Sequence, residues 1–248
     1  MTLKLLNAHS SVHVPLQITE REDKADRKFV EDIQANEISF IPAEHPYALR
    51  HKLNDRSVIV IKQGTWAPRT FEGFALIRQP MAFVSSMLVY NRKEGLDFGL
   101  RSSTRYRKTH DRLKRWASQM SPQLVKDLEK CKTPVEALCT FYVHRVGWIL
   151  DRNIRTIKYE NLVTEPAIYL REICEELHIE YEDGMLQAHE SYEEVDGHGM
   201  NDLSRKTDTG SLNKWERLPT QTKSAVVEFC GETAKRAGYN VTRANVSW

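Results

Sequence analysis

The chain has 248 residues, 40% of them hydrophobic, and can therefore bury the core of one α/β domain spanning residues 1–248. Its 36 Lys and Arg residues against 34 Asp and Glu residues leave a net charge of +2, too near neutral for nucleic acid or an acidic membrane to be its partner through overall charge. No apolar run is long enough to span a membrane, and the N-terminus lacks the apolar region of a signal peptide. We therefore expect a cytoplasmic protein with no membrane span.

The cysteines are widely spaced and lie in helix-like segments; they are Cys131, Cys139, Cys174 and Cys230. Their spacing matches no common set of metal ligands. This pattern predicts buried free thiols in a reducing compartment, and no metal site.

The first elements along the chain are short. Residues 1–9 carry the leucines of a helix without a capping residue in front of them, which indicates that the sequence begins inside an element. A short helix is predicted at 29–35 and a strand at 38–41. The continuous β-branched run from Ser57 to Lys62 predicts a strand covered on both faces.

A strand followed directly by a helix is predicted around Arg78. The apolar run from Phe74 ends at this arginine, and Pro80 is suited to the first position of a helix. An arginine at the carboxyl end of a buried strand can offer two parallel hydrogen bonds to a phosphate, and Ser86 can add a hydroxyl from the helix. An ordinary strand-to-helix corner with a solvated arginine would give the same pattern.

The segment from Leu100 to Arg115 contains seven basic residues and one acid, Asp111. A solvated helical face has this composition, and so does an anion-attracting rim above a phosphate site. Helices are then predicted at 121–130 and 134–150, the second with apolar and aromatic residues at the spacing of a core face.

The C-terminal third continues the alternation of strands and helices. A strand is predicted at 155–159 and an amphipathic helix at 166–177, and such alternation is typical of a parallel sheet. Residues 191–214 read as a long loop, a kind of segment that is often functional in a compact domain. A final helix at 220–237 should end at Gly238.

Three separated segments carry a pattern that none of them carries alone. They are Arg78-Gln79-Pro80 with Ser85-Ser86; Ile157 to Pro166, which includes Tyr159-Glu160-Asn161-Leu162; and Gly197-His198-Gly199 with Asn201, Ser204-Arg205-Lys206 and Asn213-Lys214-Trp215. Together they resemble the sulfotransferases that use 3′-phosphoadenosine 5′-phosphosulfate (PAPS), closest to the bacterial-type branch of that family. Asn161 stands where the family usually has aspartate.

The resemblance implies a P-loop-NTPase-like sulfotransferase fold, with a parallel sheet flanked by helices. It implies transfer of a sulfuryl group from PAPS, without a metal, to a hydroxyl or amine of a small molecule, lipid or glycan. Catalysis of this kind depends on positioning and on stabilising charge at the transferring group. A P-loop kinase shares the general architecture, but the chain contains no Walker A lysine motif.

The same resemblance assigns the cofactor-binding residues. Arg78 and Ser86 would hold the 3′-phosphate, and Tyr159 would lie near the adenine. Arg205 and Lys206 would close the phosphate site.

The catalytic residues are assigned from the resemblance and, for the general base, from the fact that histidine can exchange a proton near neutral pH. Lys62, at the end of its strand, aligns with a lysine that some relatives use on the bridging or leaving oxygen. His198 is the candidate general base, with His13 and the acids of residues 20–22 as alternatives, since an imidazole titrates near neutrality. Trp215 reads either as a ligand-stacking residue or as a core anchor.

The 5′-phosphosulfate loop of the family and the strand before it have no counterpart in the sequence. Their place would be just before Met1, and the run from Met1 to Pro15 resembles the family's first helix, which comes directly after that loop. A start site set too late or a truncated gene would explain this, as would a relative that no longer binds PAPS. The alternative function is therefore a catalytically inactive sulfotransferase-like protein that binds a nucleotide or a partner protein.

Overall fold

A computed structural model describes residues 5–6, 8–13, 46–53, 58–59, 73–93, 103–118, 120–191, 204 and 206–241 of the chain. These residues belong to two compact units. The first unit comprises Met1–Gly64, Pro68–Gly73 and Asn161–Asp208, and the second comprises Thr65–Ala67, Phe74–Glu160 and Thr209–Trp248. Among the helices described in these ranges, none has the length and apolar character needed to cross a membrane.

The described strands and helices alternate along much of the chain. In chain order they are β1 (Val12–His13), α1 (Pro46–His51), β2 (Val58–Ile59), β3 (Phe74–Ile77), α2 (Pro80–Lys93), α3 (Ser103–Ser118), α4 (Pro122–Lys130), α5 (Pro134–Asp151), β4 (Arg155–Lys158), α6 (Tyr159–Thr164), α7 (Pro166–Glu176) and α8 (Thr220–Arg236). Short 3₁₀ helices occur at Asp183–Ser191, Thr209–Ser211 and Lys214–Arg217.

The four described strands form two parallel pairs. In the first unit β1 pairs with β2, with Val12 opposite Val58. In the second unit β3 pairs with β4, with Ile77 opposite Lys158. The predicted α/β character with parallel strands is confirmed for these segments. The helix predicted at 29–35 and the strand predicted at 38–41 lie outside the described residues.

The core of the second unit is helical. Helices α5 and α8 pack closely on each other, and α2, α3 and α4 add their apolar faces. The rings of Phe83 and Tyr142 lie 5.5 Å apart between centroids, and those of Trp116 and Phe141 lie 5.9 Å apart. The apolar face predicted for residues 134–150 is therefore the central wall of this core.

The starts of α4 and α5 result from capping chemistry in the sequence. Ser121 Oγ accepts the Gln123 N–H at 3.1 Å before α4, and Thr133 Oγ1 accepts the Glu136 N–H at 3.1 Å before α5. Each cap is followed directly by a proline, whose missing N–H costs nothing at the first helical position. The predicted bounds of both helices are confirmed within one residue.

Four of the described helices are followed by a residue of positive φ. After α1, α5, α7 and α8 the chain takes this conformation at Lys52 (54°), Asn153 (51°), His178 (56°) and Gly238 (75°). At α8 the N–H of Gly238 bonds to Lys235 O at 2.9 Å, and the N–H of the next residue bonds to Ala234 O at 2.8 Å. This pair of bonds is the Schellman motif, and it confirms the predicted helix end at Gly238.

Residues 103–115 of the basic segment belong to α3. Lys114 forms an ion pair with Glu129 of α4 at 2.7 Å, and the Arg112 guanidinium lies 5.3 Å from the centre of the Trp116 ring. His110 Nε2 lies 2.6 Å from the carbonyl oxygen of Leu128. In these three described contacts, side chains of α3 interact with α4 or within α3.

The beginning of the chain packs within the first unit. Leu5 and Leu6 are helical and buried. His9 is also buried, with Nε2 2.6 Å from Glu180 O, and the Ser10 N–H donates to the Glu182 carboxylate at 2.8 Å. The histidine of this segment is therefore a structural residue that fastens it to the chain after α7.

All four cysteines are free thiols, as predicted. Cys139, Cys174 and Cys230 are buried, and Cys131 is half-buried. Burial raises the pKa of the Cys131 and Cys174 thiols. The pKa of Cys139 is raised first by its hydrogen bond with Cys230 and then by burial.

Candidate functional site

The carboxyl ends of β3 and β4 meet at one edge of the second unit. Because Ile77 pairs with Lys158, the next residues along the two strands, Arg78 and Tyr159, are neighbours. The guanidinium carbon of Arg78 lies 4.4 Å from the centre of the Tyr159 ring, within the range of a cation–π contact. Two residues singled out from separate sequence segments are thus brought together.

The turn between β3 and α2 is held by side chains from other elements. Tyr142 of α5 donates its hydroxyl hydrogen bond to the carbonyl oxygen of Arg78 at 3.0 Å. The N–H of Gln79 donates to Glu160 Oε1 at 3.0 Å. Gln79 itself caps α2, since its side-chain oxygen accepts the Ala82 N–H at 3.1 Å. The backbone on both sides of Arg78 is therefore fixed.

Tyr239, just after α8, completes this arrangement. Its hydroxyl lies 2.8 Å from Glu160 Oε2 and 3.3 Å from the carbonyl oxygen of Ile77. Lys158 Nζ donates to Gly238 O at 2.6 Å and lies 4.8 Å from the Tyr239 ring. We call the set of Arg78, Gln79, Tyr142, Glu160 and Tyr239 the strand-end network.

The tyrosines of this network remain protonated donors over a wide pH range. Burial raises the pKa of Tyr142, and the negative charge of Glu160 adds to the effect. Burial also raises the pKa of Tyr239, and at this residue the charge of Glu160 is the second largest cause. Only 3% of Tyr142 is exposed, so its hydroxyl finds its partner inside the protein.

Ser86 lies in the second turn of α2 and is exposed, whereas its neighbour Ser85 is buried. Of the two serines, Ser86 is the one whose hydroxyl can meet a ligand from solvent. Arg78 supplies a planar fork of N–H donors two residues before the same helix. A guanidinium just before a helix and a hydroxyl in its second turn are both donor types that an oxyanion such as a phosphate accepts from.

Lys206 lies in the first unit, where it is exposed. It borders a cavity of about 360 Å³, whose lining includes Leu5, Pro166, Leu186, His189 and Glu190. The lining mixes apolar side chains with groups of both charges. Within the described residues, no three His, Cys, Asp or Glu side chains come together as metal ligands.

Asn161 has a partner within the first unit. Its Nδ2 donates to the hydroxyl oxygen of Tyr169 at 2.7 Å. The side chain at the position where the resembled family has aspartate therefore links α6 to α7.

Trp215 is partly buried and packs against the core of the second unit, with Lys223 Nζ 5.9 Å from its ring. Its environment is that of a core anchor. The other candidates cannot be placed in the same way. Lys62, His198 and Arg205 lie outside the described residues, as do residues 20–22, and only the backbone of His13 is described, in β1.

The sequence alone predicts no role in a site for four members of the strand-end network. Gln79 and Glu160 belong to the segments that carry the resemblance but have no predicted role, and Tyr142 is one of the aromatic residues of 134–150 predicted only as core. No sequence motif indicates a role for Tyr239, which simply follows the predicted helix end at Gly238. Ile77 and Glu160, which its hydroxyl contacts, are 162 and 79 residues from Tyr239 in the sequence. A local sequence pattern therefore cannot predict these contacts.

No family model matches the chain, and no curated protein matches it. Among solved structures, the fold is similar to a structure described as the sulfotransferase domain from the curacin biosynthetic pathway. The match covers 97% of this chain and 94% of that chain, with 16% sequence identity and a TM-score of 0.48.

Proposed function

We propose that the chain is a PAPS-dependent sulfotransferase with a P-loop-NTPase-like sulfotransferase fold, acting in the cytoplasm. It would transfer a sulfuryl group to a hydroxyl or amine of a small molecule, lipid or glycan. The sequence resemblance supports this proposal. The structural observation that carries it is the fixed position of Arg78 at the carboxyl end of a parallel strand, beside Tyr159 and before the helix that bears Ser86.

The described donors fit the 3′-phosphate end of the nucleotide. Arg78 offers a cationic fork, and Ser86 offers an exposed hydroxyl. The Glu160 carboxylate would oppose a nearby anion. However, its two oxygens accept hydrogen bonds from the Gln79 N–H and from the Tyr239 hydroxyl. Both oxygens of this carboxylate are thus engaged by donors of the protein itself.

In the proposed assignment each residue has a separate task. Arg78 and Ser86 hold the 3′-phosphate, and the Tyr159 ring lies near the adenine. Arg205 and Lys206 are the proposed further cations for the phosphates. All of these groups bind and orient, as expected for a reaction that depends on alignment of donor and acceptor.

When bound, PAPS supplies an activated sulfuryl group. Transfer would form a bond between sulfur and the acceptor oxygen or nitrogen and break the bond between sulfur and the phosphate oxygen. Adenosine 3′,5′-bisphosphate and the acceptor's proton would be released. Lys62 is proposed to neutralise charge on the transferring group, and His198 to accept that proton.

Thermal unfolding with adenosine 3′,5′-bisphosphate tests the binding half of this proposal. A ligand at a hundred times its Kd stabilises the folded state by about 2.7 kcal/mol, which raises the melting temperature measurably. We expect this shift for the unmodified chain, a smaller one with adenosine 5′-monophosphate, and none for Arg78→Ala. Absence of any shift with the bisphosphate would refute the proposal.

Transfer itself needs a second assay, in which PAPS consumption is followed with phenolic, alcoholic and amine acceptors. Consumption that depends on an acceptor would support the enzyme. Binding of the bisphosphate without consumption across the panel would favour the inactive, nucleotide-binding alternative.

A further inference from the structure

Three successive backbone groups where β3 ends each lie against a side chain distant in sequence. The contacts join Tyr239 Oη to Ile77 O at 3.3 Å, Tyr142 Oη to Arg78 O at 3.0 Å, and Glu160 Oε1 to Gln79 N at 3.0 Å. Tyr239 has one hydroxyl hydrogen, and its nearer acceptor is Glu160 at 2.8 Å. The three side chains come from the segment after α8, from α5 and from α6. Three separate parts of the chain thus converge on one short turn.

This turn needs such support because neither neighbouring element covers it. The strand ends at Ile77, and α2 begins at Pro80, which has no N–H to donate. Peptide groups between two elements must otherwise bond to water, and they are then free to rotate. Bonds to protein side chains instead fix the backbone dihedral angles of Arg78.

The side chain of Arg78 is restrained at its far end as well. Its guanidinium lies 4.4 Å from the centre of the Tyr159 ring, and Tyr159 directly precedes Glu160 in α6. The arginine is therefore held at both its peptide and its charged group. A group oriented before binding loses less conformational freedom when a ligand arrives.

We infer that Tyr142 and Tyr239 are positioning residues, whose hydroxyls orient Arg78 for an anionic ligand. Tyr142 acts directly on the Arg78 peptide. Tyr239 acts through Glu160, which accepts its hydroxyl hydrogen bond and in turn accepts the Gln79 N–H. The inference rests on the proposed function, in which Arg78 binds the 3′-phosphate. It adds two residues that would affect ligand affinity without touching the ligand.

Replacing either tyrosine by phenylalanine is the appropriate change. The rings would keep their neighbours, with Tyr142 against Phe83 and Tyr239 against Lys158, so only the hydroxyl contacts would be removed. Ordering one mobile side chain on binding typically weakens affinity by about two- to tenfold. We expect a loss of this size for Tyr142→Phe and for Tyr239→Phe.

The control is Ser121→Ala, which removes the N-cap of α4. It costs stability as the loss of any helix cap does, but the described side-chain hydrogen bond of Ser121 stays within the start of α4. All proteins are compared well below their melting temperatures. Arg78→Lys is used only to assign the NMR signal of the arginine.

Two readouts are taken from each variant. The first is the Kd for adenosine 3′,5′-bisphosphate, measured by calorimetry. The second needs no ligand: it is the shift of the Arg78 Nε–Hε cross-peak, which the Tyr159 ring current displaces while the guanidinium lies over the ring. Both tyrosine variants should weaken binding and move the cross-peak toward its random-coil position, and Ser121→Ala should do neither.

The outcomes separate this inference from the proposed function. If the unmodified chain binds but either tyrosine variant keeps its affinity or its cross-peak, the positioning role is wrong and the proposed function stands. If the unmodified chain does not bind, the proposed function fails and the cross-peak alone decides. Movement in both tyrosine variants then supports a positioning role, and an unchanged cross-peak in either overturns it.

Discussion

Arg78 and Tyr159 lie side by side, with the guanidinium carbon 4.4 Å from the ring centre. They are 81 positions apart in the sequence, and they meet because β3 and β4 are parallel, in register, and end at the same edge. Side chains that come directly after parallel strands at this edge face the region where ligands of open α/β sheets bind. The pair therefore couples the proposed 3′-phosphate contact to the proposed adenine contact.

The ring of Tyr159 should matter for nucleotide affinity, and its hydroxyl should not. Without the ring, the Arg78 guanidinium must be ordered when the ligand binds, so Tyr159→Leu should weaken binding of adenosine 3′,5′-bisphosphate by about two- to tenfold. Tyr159→Phe keeps a ring face and should bind nearly as the parent does. Calorimetric titration measures both.

A matched control for this experiment lies in the first unit. The Arg171 guanidinium lies 4.0 Å from the centre of the Tyr181 ring, so Tyr181→Leu removes an equivalent contact. We expect no change in nucleotide affinity for that variant. Equal losses for Tyr159→Leu and Tyr181→Leu would mean that Tyr159 has no specific role.

Gly238→Ala should destabilise the protein by about 1–2 kcal/mol, because the left-handed conformation is costly for a residue with a Cβ. The φ of Gly238 is 75°, and an added Cβ would come 3.0 Å from Lys158 Nζ. Gly147→Ala is the control inside α5, where an added Cβ meets nothing within 4 Å. It should stabilise by about 0.5–1 kcal/mol. Urea unfolding measures both, and equal changes would contradict the argument.

His178→Gly should stabilise the protein by about 0.5–1 kcal/mol. His178 has a φ of 56° at the end of α7, where glycine avoids the cost of the Cβ but loses more chain entropy on folding. Asn153 is the equivalent residue after α5. Asn153→Gly should increase stability by less, since asparagine tolerates the left-handed conformation better than histidine does. Chemical denaturation of the two variants tests the order, and a loss of stability in His178→Gly would contradict it.

Asp127 should make stability depend on pH in the acid range. Hydrogen bonds from Lys130 and then Gln123 hold the pKa of this carboxyl at about 2. Because the folded pKa is lower than the unfolded one, the stabilisation is present above about pH 4 and is lost as the pH falls toward 2.

Asp127→Asn should flatten the dependence of the unfolding free energy on pH between about 5 and 2. Asp111→Asn removes the same charge from an exposed position on α3 and is the control. Urea unfolding at several pH values measures the slopes. Equal slopes for Asp127→Asn and the parent would show that Asp127 is not the group responsible.

The buried thiols should resist alkylation in the folded protein. Burial raises the pKa of Cys174, and the hydrogen bond with Cys230 together with burial raises that of Cys139, so little thiolate is present at about pH 8. We expect iodoacetamide to label half-buried Cys131 first and the remaining cysteines only after unfolding in guanidinium. Mass spectrometry of peptides gives the order, and rapid labelling of Cys139 in the native protein would contradict it.

The sequence by itself determined the local structure of most described elements. Capping residues followed by proline set the starts of α4 and α5, and Gly238 set the end of α8. The β-branched and apolar runs indicated strands, and their alternation with helices indicated parallel pairing. These features depend on residues within a few positions of one another, where backbone propensities and hydrogen bonding are decided.

Only the tertiary structure decided how the candidate site is built. The sequence pointed to Arg78, Ser86 and Tyr159 separately, but their surroundings depend on which elements pack together. Tyr142 comes from α5 and Tyr239 from the chain after α8, and both reach the turn at Arg78 through the packing of the second unit. Contacts between such distant residues depend on which apolar helix faces pack together. The periodic pattern marks a face, but apolar burial is non-directional, so the pattern does not identify the face's partner.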